Sequence, residues 1–190
     1  MSSYKSNIQK LDSPWRRAAL PPRETLLSLG LTEEMDFADI GCGIGYFTIP
    51  AALIINPSSE VVAIDPSAEM IAEASKRADE AGVHHIKFVH SDPLDFKIPK
   101  ASIDFALVAN VFHEITEKEA FVHLVKDILK PGGKLALIEW NNQIKEMGPP
   151  ENHRISEEET DRWMLESGFE ITNKLNIGDM FYGRVYVKQC

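Results

Sequence analysis

The stretch DIGCGIG, residues 39–45, closes the short apolar run Phe37–Ile40. Three glycines fall within five positions. Each weakens a regular element by roughly 0.5–1 kcal/mol relative to alanine. A chain that accepts that cost repeatedly needs bare backbone at this turn. The residues that follow, Tyr46–Ile55, show a helical pattern. The stretch therefore reads as a sharp bend from a strand into a helix.

Working outward, the same alternation continues. Strand-like runs occur at Val61–Asp65, Ile86–His90, Phe105–Asn110 and Leu135–Trp140. Most are continuously apolar, as parallel strands covered on both faces are. Ala68–Ala81 reads as a helix with Ser67 as its cap and Gly82 as its stop. Glu117–Leu129 reads as another, opened by a capping box from Thr116 to Glu119 and closed at Lys130-Pro131-Gly132-Gly133. A second box, Ser156 to Glu159, opens a helix that Gly168 ends. Pro21-Pro22 opens a short one over Arg23–Leu29, stopped by Gly30. Phe169–Gln189 alternates like a strand pair, with Gly178-Asp179 and Gly183 as turn candidates. Strand–helix repetition of this kind predicts an open, mostly parallel α/β sheet with an antiparallel pair at one edge.

The chain has 190 residues, 44% apolar and 26% charged, which fits one domain of 21–190 preceded by a polar arm over 1–20. The net charge of −9 repels phosphate backbones, so nucleic acid is not an expected partner. The two cysteines, Cys42 and Cys190, make neither a disulfide framework nor a zinc site. No stretch approaches the roughly 18 apolar residues of a membrane span, and the first residues carry no apolar signal core. A cytoplasmic monomer or homodimer is the expectation.

In an open α/β sheet, ligands bind beyond the carboxyl ends of the strands. The glycines lie at such an end, ahead of a helix whose free N–H groups favour an anionic ligand end. Asp65 ends the next strand, where a carboxylate meets a ribose. Bend and carboxylate together point to a nucleoside cofactor. A dinucleotide fingerprint would place its third glycine at position 46, which is Tyr46; here it is Gly45. No Gly-Lys-Ser/Thr follows, so the bend is not a P-loop. The plainer alternative is a tight turn with no ligand.

FADIGCGIGYFT, VVAIDPSAEMI, SDPLDF, ALVANVFHEI and LKPGGKLALIEW resemble the successive motifs of class I S-adenosylmethionine-dependent methyltransferases. The nearest resemblance is to the small UbiE-like, type-11 branch, including the loop EWNNQIKEMGPPENHRIS. The resemblance implies a Rossmann-like seven-stranded sheet in the order 3-2-1-4-5-7-6, strand 7 antiparallel, with helices on both faces. It implies S-adenosylmethionine as cofactor. Gly41, Cys42, Gly43 and Gly45 would line its methionine half, and Asp39 would orient the bend or meet the amino group. Asp65 would hold the ribose hydroxyls, and Asp92 the adenine amino group, with Pro93-Leu94 against the ring. Pro66 and Met70 would cover the other face, and Asn110 and Val111 would lie near the reactive end. Each has a plainer reading: Asp92 as a turn former, Met70 as helix core, Cys42 as a small residue in a crowded turn.

Methyl transfer from a sulfonium asks a protein mainly to align groups and exclude water. A base is needed only where the acceptor must lose a proton. His113, beside Glu114, is the placed candidate; packing or substrate orientation is the alternative. Trp15, Trp140, His153 and Arg154 are candidate substrate contacts, with Glu139, Arg16 and Tyr4 nearby, and the arm reads as a lid. His84-His85 has no third ligand near it in sequence and reads as surface. The place of the Pro-Pro-aromatic motif of amino-directed DNA methylation is held by Asn110-Val111-Phe112-His113, and the cysteines of arsenic methylation are missing. A small-molecule acceptor is what remains. The rival readings are a nicotinamide-dependent oxidoreductase and a cofactor-binding module without catalysis.

Overall fold

A computed structural model describes residues 11–141 and 147–189. Tyr4 and Cys190 lie outside the described residues. Seven strands form one sheet in the order β3-β2-β1-β4-β5-β7-β6. They are β1 (Phe37–Ile40), β2 (Val61–Asp65), β3 (Ile86–His90), β4 (Ile103–Ala109), β5 (Leu129–Trp140), β6 (Phe169–Ile177) and β7 (Phe181–Lys188). The first five pair in parallel, and β7 runs antiparallel to both β5 and β6. The helices are α1 (Pro14–Ala19), α2 (Pro22–Ser28), α3 (Thr48–Ala52), α4 (Ala68–Glu80), α5 (Lys118–Ile128) and α6 (Glu157–Glu166).

Every residue of β1 and β2 is buried, whereas β3 at the sheet edge is half-buried at best. Alternate residues of β1 feed two cores. Ala38 and Ile40 face Phe121, Val125 and Met164 of α5 and α6. Phe37 faces the opposite layer, with Leu26 of α2 and Ala51 of α3. Burial of each such large side chain contributes about 1.5–3 kcal/mol, so both faces need their helices. Among the described residues, no helix is long and apolar enough to cross a membrane.

Several boundaries differ from the sequence reading. The helix expected over Tyr46–Ile55 contracts to Thr48–Ala52, because the bend runs on through Phe47 and Pro50 removes a ladder donor. Ser67 and Ser156 cap as expected, accepting from Met70 N and Glu159 N. Thr116 does not. A 3-10 turn at Phe112–Glu114 delays α5, whose cap position is Glu117 without a side-chain bond. Lys118 Nζ instead donates to the Ile115 carbonyl at 2.7 Å. The residues Lys130–Gly133, expected to close that helix, already belong to β5, whose pairing with β4 slips between Ile103 and Phe105. Gly183 lies inside β7 and makes no turn; the chain reverses between Ile177 and Phe181. The segment read as an arm is docked over residues 14–20: Leu20 is fully buried and Tyr46 Oη donates to its carbonyl at 2.7 Å.

Candidate active site

The glycine bend is fixed from two sides. The amides of Gly41 and Cys42 both donate to the Ile64 carbonyl, at 2.8 and 2.9 Å, pinning the bend to the tip of β2. Gly41 has φ +79°, and a Cβ there would stand 2.4 Å from Val111 Cγ2. The bend therefore packs against the chain leaving β4, and only glycine allows the approach. Gly43, at φ +54°, has open space around its missing Cβ.

Asp65 braces the same bend. Its Oδ2 accepts from Gly43 N at 2.8 Å and its Oδ1 from Ser67 N at 2.9 Å. Asp39, at the end of β1, is 2% exposed and accepts from Thr48 Oγ1 at 2.5 Å. Desolvation pushes its pKa up to about 7, with Thr48 opposing and the charge of Asp65 adding. Burial first, then Asp39 and Asp65, hold the Cys42 thiol far above its usual range, so it stays protonated and is no nucleophile.

At the exit of β4, Asn110 adopts a left-handed φ of +57°. Its backbone amide donates to the Ile138 carbonyl at 2.8 Å, but Nδ2 and Oδ1 are shielded from solvent and have no partner. An unmet buried amide costs about 1–3 kcal/mol, which a ligand atom would recover.

Between the tips of β1 and β4, where the strand order reverses direction, lies a cavity of about 420 Å³. Asp39, Gly41, Cys42, Gly43, Asp65, Pro66, Met70, Pro93, Asn110 and Val111 all line it, as does Glu114. Gly45 and Asp92 are not in the lining. Gly45 packs behind the bend against Ile49 and Ala74. Asp92 is exposed, and its Oδ1 accepts from Leu94 N at 3.0 Å, a local turn. The sequence reading gave no site role to Tyr46, Ser91, Phe96 or Ile115, which also contribute walls. Nothing in their spacing distinguishes them from core or loop. Arg16 of α1 reaches the cavity as well.

His113 sits one step behind the lining, between Val111 and Glu114. Its side chain is 7% exposed. Nδ1 lies 2.8 Å from Glu139 Oε2, and its backbone amide donates to Oε1 of the same carboxylate at 3.1 Å. Nε2 lies 3.7 Å from Glu114 Oε1. Burial works to lower the imidazole pKa, but the bond to and charge of Glu139, then Glu114, outweigh it and raise it above the ordinary value. Glu139 is thus the partner of His113 and not a wall.

The other substrate candidates gather elsewhere. Trp15 stacks on Trp140, ring centroids 6.1 Å apart and 7° from parallel, and Trp140 also packs on Phe181 at 4.5 Å. Arg154 lies 5.9 Å over the Trp140 ring. Its guanidinium donates to the carbonyls of Pro149 and Asn141, at 3.0 and 2.7 Å, and to that of Met147, clasping the loop. His153 is exposed in a 3-10 turn. None of these four lines the cavity.

Comparison with known proteins follows the same geometry. The methyltransferase domain family matches residues 37–133, from β1 through the start of β5. The chain is similar to a demethylmenaquinone methyltransferase of Listeria welshimeri, 25% identical over 130 residues, 68% of this chain and 52% of that protein. It is also similar to a sterol 24-C-methyltransferase of Aspergillus fumigatus, 27% identical over 80% of this chain and 38% of that one. The chain thus spans about half the length, or less, of these curated relatives. A crystal structure of an S-adenosylmethionine-dependent methyltransferase from Aquifex aeolicus superposes with a TM-score of 0.90. It is 28% identical, with 96% of this chain and 97% of that chain covered.

Proposed function

The chain belongs to the methyltransferase domain family, and from that premise we propose that it moves the methyl group of S-adenosylmethionine to a small-molecule acceptor. The observation that carries this reading is the Gly43 N to Asp65 Oδ2 contact of 2.8 Å between two residues that line the cavity. It sets a side-chain-free bend and a carboxylate at neighbouring strand tips, the arrangement a nucleoside with an amino-acid tail requires. The charges agree. Among the described residues, three carboxyl groups, Asp39, Asp65 and Glu114, line the cavity with one cation, Arg16, which suits a ligand bearing an ammonium, a sulfonium and a single carboxylate.

S-adenosylmethionine, when bound, supplies a methyl group on a positive sulfur that leaves as a neutral thioether. Asp65 takes the ribose hydroxyls, and Asp39 the ammonium, whose charge restores ionisation to a carboxyl that burial keeps near neutrality. Asn110 offers its unpaired amide to the ligand. The apolar walls keep water from the reacting end. Glu139 accepts from Nδ1 of His113 and fixes the ring, whose Nε2 lies toward Glu114, so His113 serves to position that wall residue and not to touch the acceptor. The docked segment carrying Trp15 covers the acceptor side as a lid, with Trp140, Arg154 and His153 beyond it. The setting is cytoplasmic.

The test is a thermal-shift and calorimetric comparison, followed by transfer of labelled methyl to a panel of metabolites. S-adenosylmethionine and S-adenosylhomocysteine are expected to raise the melting temperature; at 100 times Kd the gain is about 2.7 kcal/mol. Stabilisation by NADH instead would replace this reading with an oxidoreductase. Cofactor binding with no transfer to any member of the panel favours the binding module.

A further inference from the structure

The three carboxyl groups that line the cavity among the described residues are not alike. Asp39 is 2% exposed and accepts from the Thr48 hydroxyl at 2.5 Å. Asp65 is 8% exposed and accepts from the amides of Gly43 and Ser67. Both stand at the tips of β1 and β2 and brace the bend. Glu114 belongs instead to the 3-10 turn that follows β4. Its side chain is 73% exposed, and its one ion-pair partner among the described residues is His113 Nε2, at 3.7 Å. Of the three, it is the carboxylate that a molecule arriving from solvent reaches.

This exposed group stands on a rigid base. His113 Nδ1 lies 2.8 Å from Oε2 of Glu139, whose side chain is 1% exposed, and the His113 amide donates to Oε1 of the same carboxylate. The ring is thereby tied to the end of β5, with Nε2 toward Glu114. Lys118, the basic side chain next to the turn, is engaged elsewhere: Nζ donates to the Ile115 carbonyl at 2.7 Å and lies 5.5 Å over the Phe112 ring. The lining beside Glu114 is apolar, with Val111, Ile115 and Phe121, apart from the amide of Asn110. Arg16 lies over Tyr46, on the side of the bend. With the nucleoside at β2 and its tail at the bend after β1, the strand order leaves the β4 side for the acceptor. A lone carboxylate on an apolar wall suits an apolar body carrying a nitrogen, and it repels an anion.

We propose that Glu114 meets the acceptor, that the acceptor is an amine on an apolar body, and that His113 and Glu139 are positioning residues for this carboxylate. The inference rests on the S-adenosylmethionine reading above. In the step, the nitrogen lone pair forms the bond to the methyl carbon and the carbon–sulfur pair leaves on sulfur. The proton displaced from nitrogen passes to Glu114. Nitrogen gains positive charge as its bond forms, and a carboxylate in place beside it stabilises that charge.

The test is calorimetric titration of protein saturated with S-adenosylhomocysteine. The probes are phenylalkyl amines of one to three methylenes, with the alcohols and carboxylates of the same skeletons. The amines should bind about 10-fold tighter than their alcohols or more, and the carboxylates weakest. Glu114→Gln, a change at an exposed position that the fold tolerates, should abolish this preference and leave S-adenosylhomocysteine affinity within about threefold. His113→Gln should reduce the preference and likewise spare S-adenosylhomocysteine; a merely structural role would weaken both ligands together. Transfer of labelled methyl to the tightest amine should fall by about 100-fold in Glu114→Gln. Equal affinity across the three classes, binding by none of them, or unchanged preference or turnover in Glu114→Gln overturns the proposal. Failure of wild-type protein to bind S-adenosylhomocysteine at all overturns the cofactor reading, and this inference with it.

Discussion

His113 and Glu139 form a closed pair, in which one carboxylate takes both the ring nitrogen Nδ1, at 2.8 Å, and the backbone amide, at 3.1 Å, of the same residue. The pair joins the 3-10 turn after β4 to the end of β5. It fixes the tautomer as well as the ring plane.

Glu139→Gln keeps the shape and removes the charge. The raised pKa of His113 should fall, since the bond to and charge of Glu139 are what outweigh its burial. Nitrogen-15 NMR titration of labelled histidine reads this directly. The sign for stability follows. A histidine raised in the folded state stabilises below its unfolded pKa, and that contribution fades as pH rises through the folded value. Wild-type protein should therefore lose more stability than Glu139→Gln on crossing that range. An unchanged His113 titration in the variant would show that Glu139 does not control the ring.

Asp39 gives a second pH signature. Its carboxyl is pushed up to about 7 from the model-compound value of 3.8. A raised carboxyl favours the folded state while protonated, so this contribution is complete below pH 3.8 and is lost as pH rises toward 7. Ligand-free protein should lose up to about 4 kcal/mol across that interval at this one site. Asp39→Asn should flatten the dependence, measured as urea unfolding at pH 5 and pH 8. Parallel curves for the two proteins would contradict the assignment.

Gly41 and Gly43 predict opposite balances of harm. Gly41→Ala drives a methyl group into Val111 at a positive φ and should cost about 2–4 kcal/mol of stability, read by denaturant melts. Gly43→Ala meets no atom within 4 Å, so only the left-handed backbone opposes it, about 1–2 kcal/mol. If both variants melt alike, the Val111 contact is looser than the structure shows.

Asp65→Ala removes a carboxylate that braces Gly43 and Ser67 and faces the cavity. Cofactor affinity should fall by about 1.5–3 kcal/mol in calorimetry. Asp92→Ala, which removes only a local turn contact to Leu94, should leave affinity within about 0.5 kcal/mol. A larger effect at Asp92 than at Asp65 would reverse the roles drawn for them.

The open, mostly parallel sheet was legible in the sequence because continuous apolar runs and glycine stops repeat; its strand order was legible only through the resemblance of the motifs to one family. The bend and Asp65 were legible for the same reason. Contacts between distant segments were not. Nothing in the spacing of Glu139 and His113 tells that they pair, and Trp15 and Trp140 stand far apart in the chain. The sequence places Arg16 with Trp15 in an arm near the site, but its position over Tyr46 depends on how α1 docks. The capping box at Thr116 failed where a 3-10 turn intervened, a competition local pattern does not reveal.

Trp15 and Arg16 are consecutive in a helix of six residues, one stacked on Trp140 and the other over Tyr46 at the cofactor chamber. So short a rod has no joint between them. A shift at either end of that rod would be carried to the other, which ties the aromatic stack to the wall of the cavity.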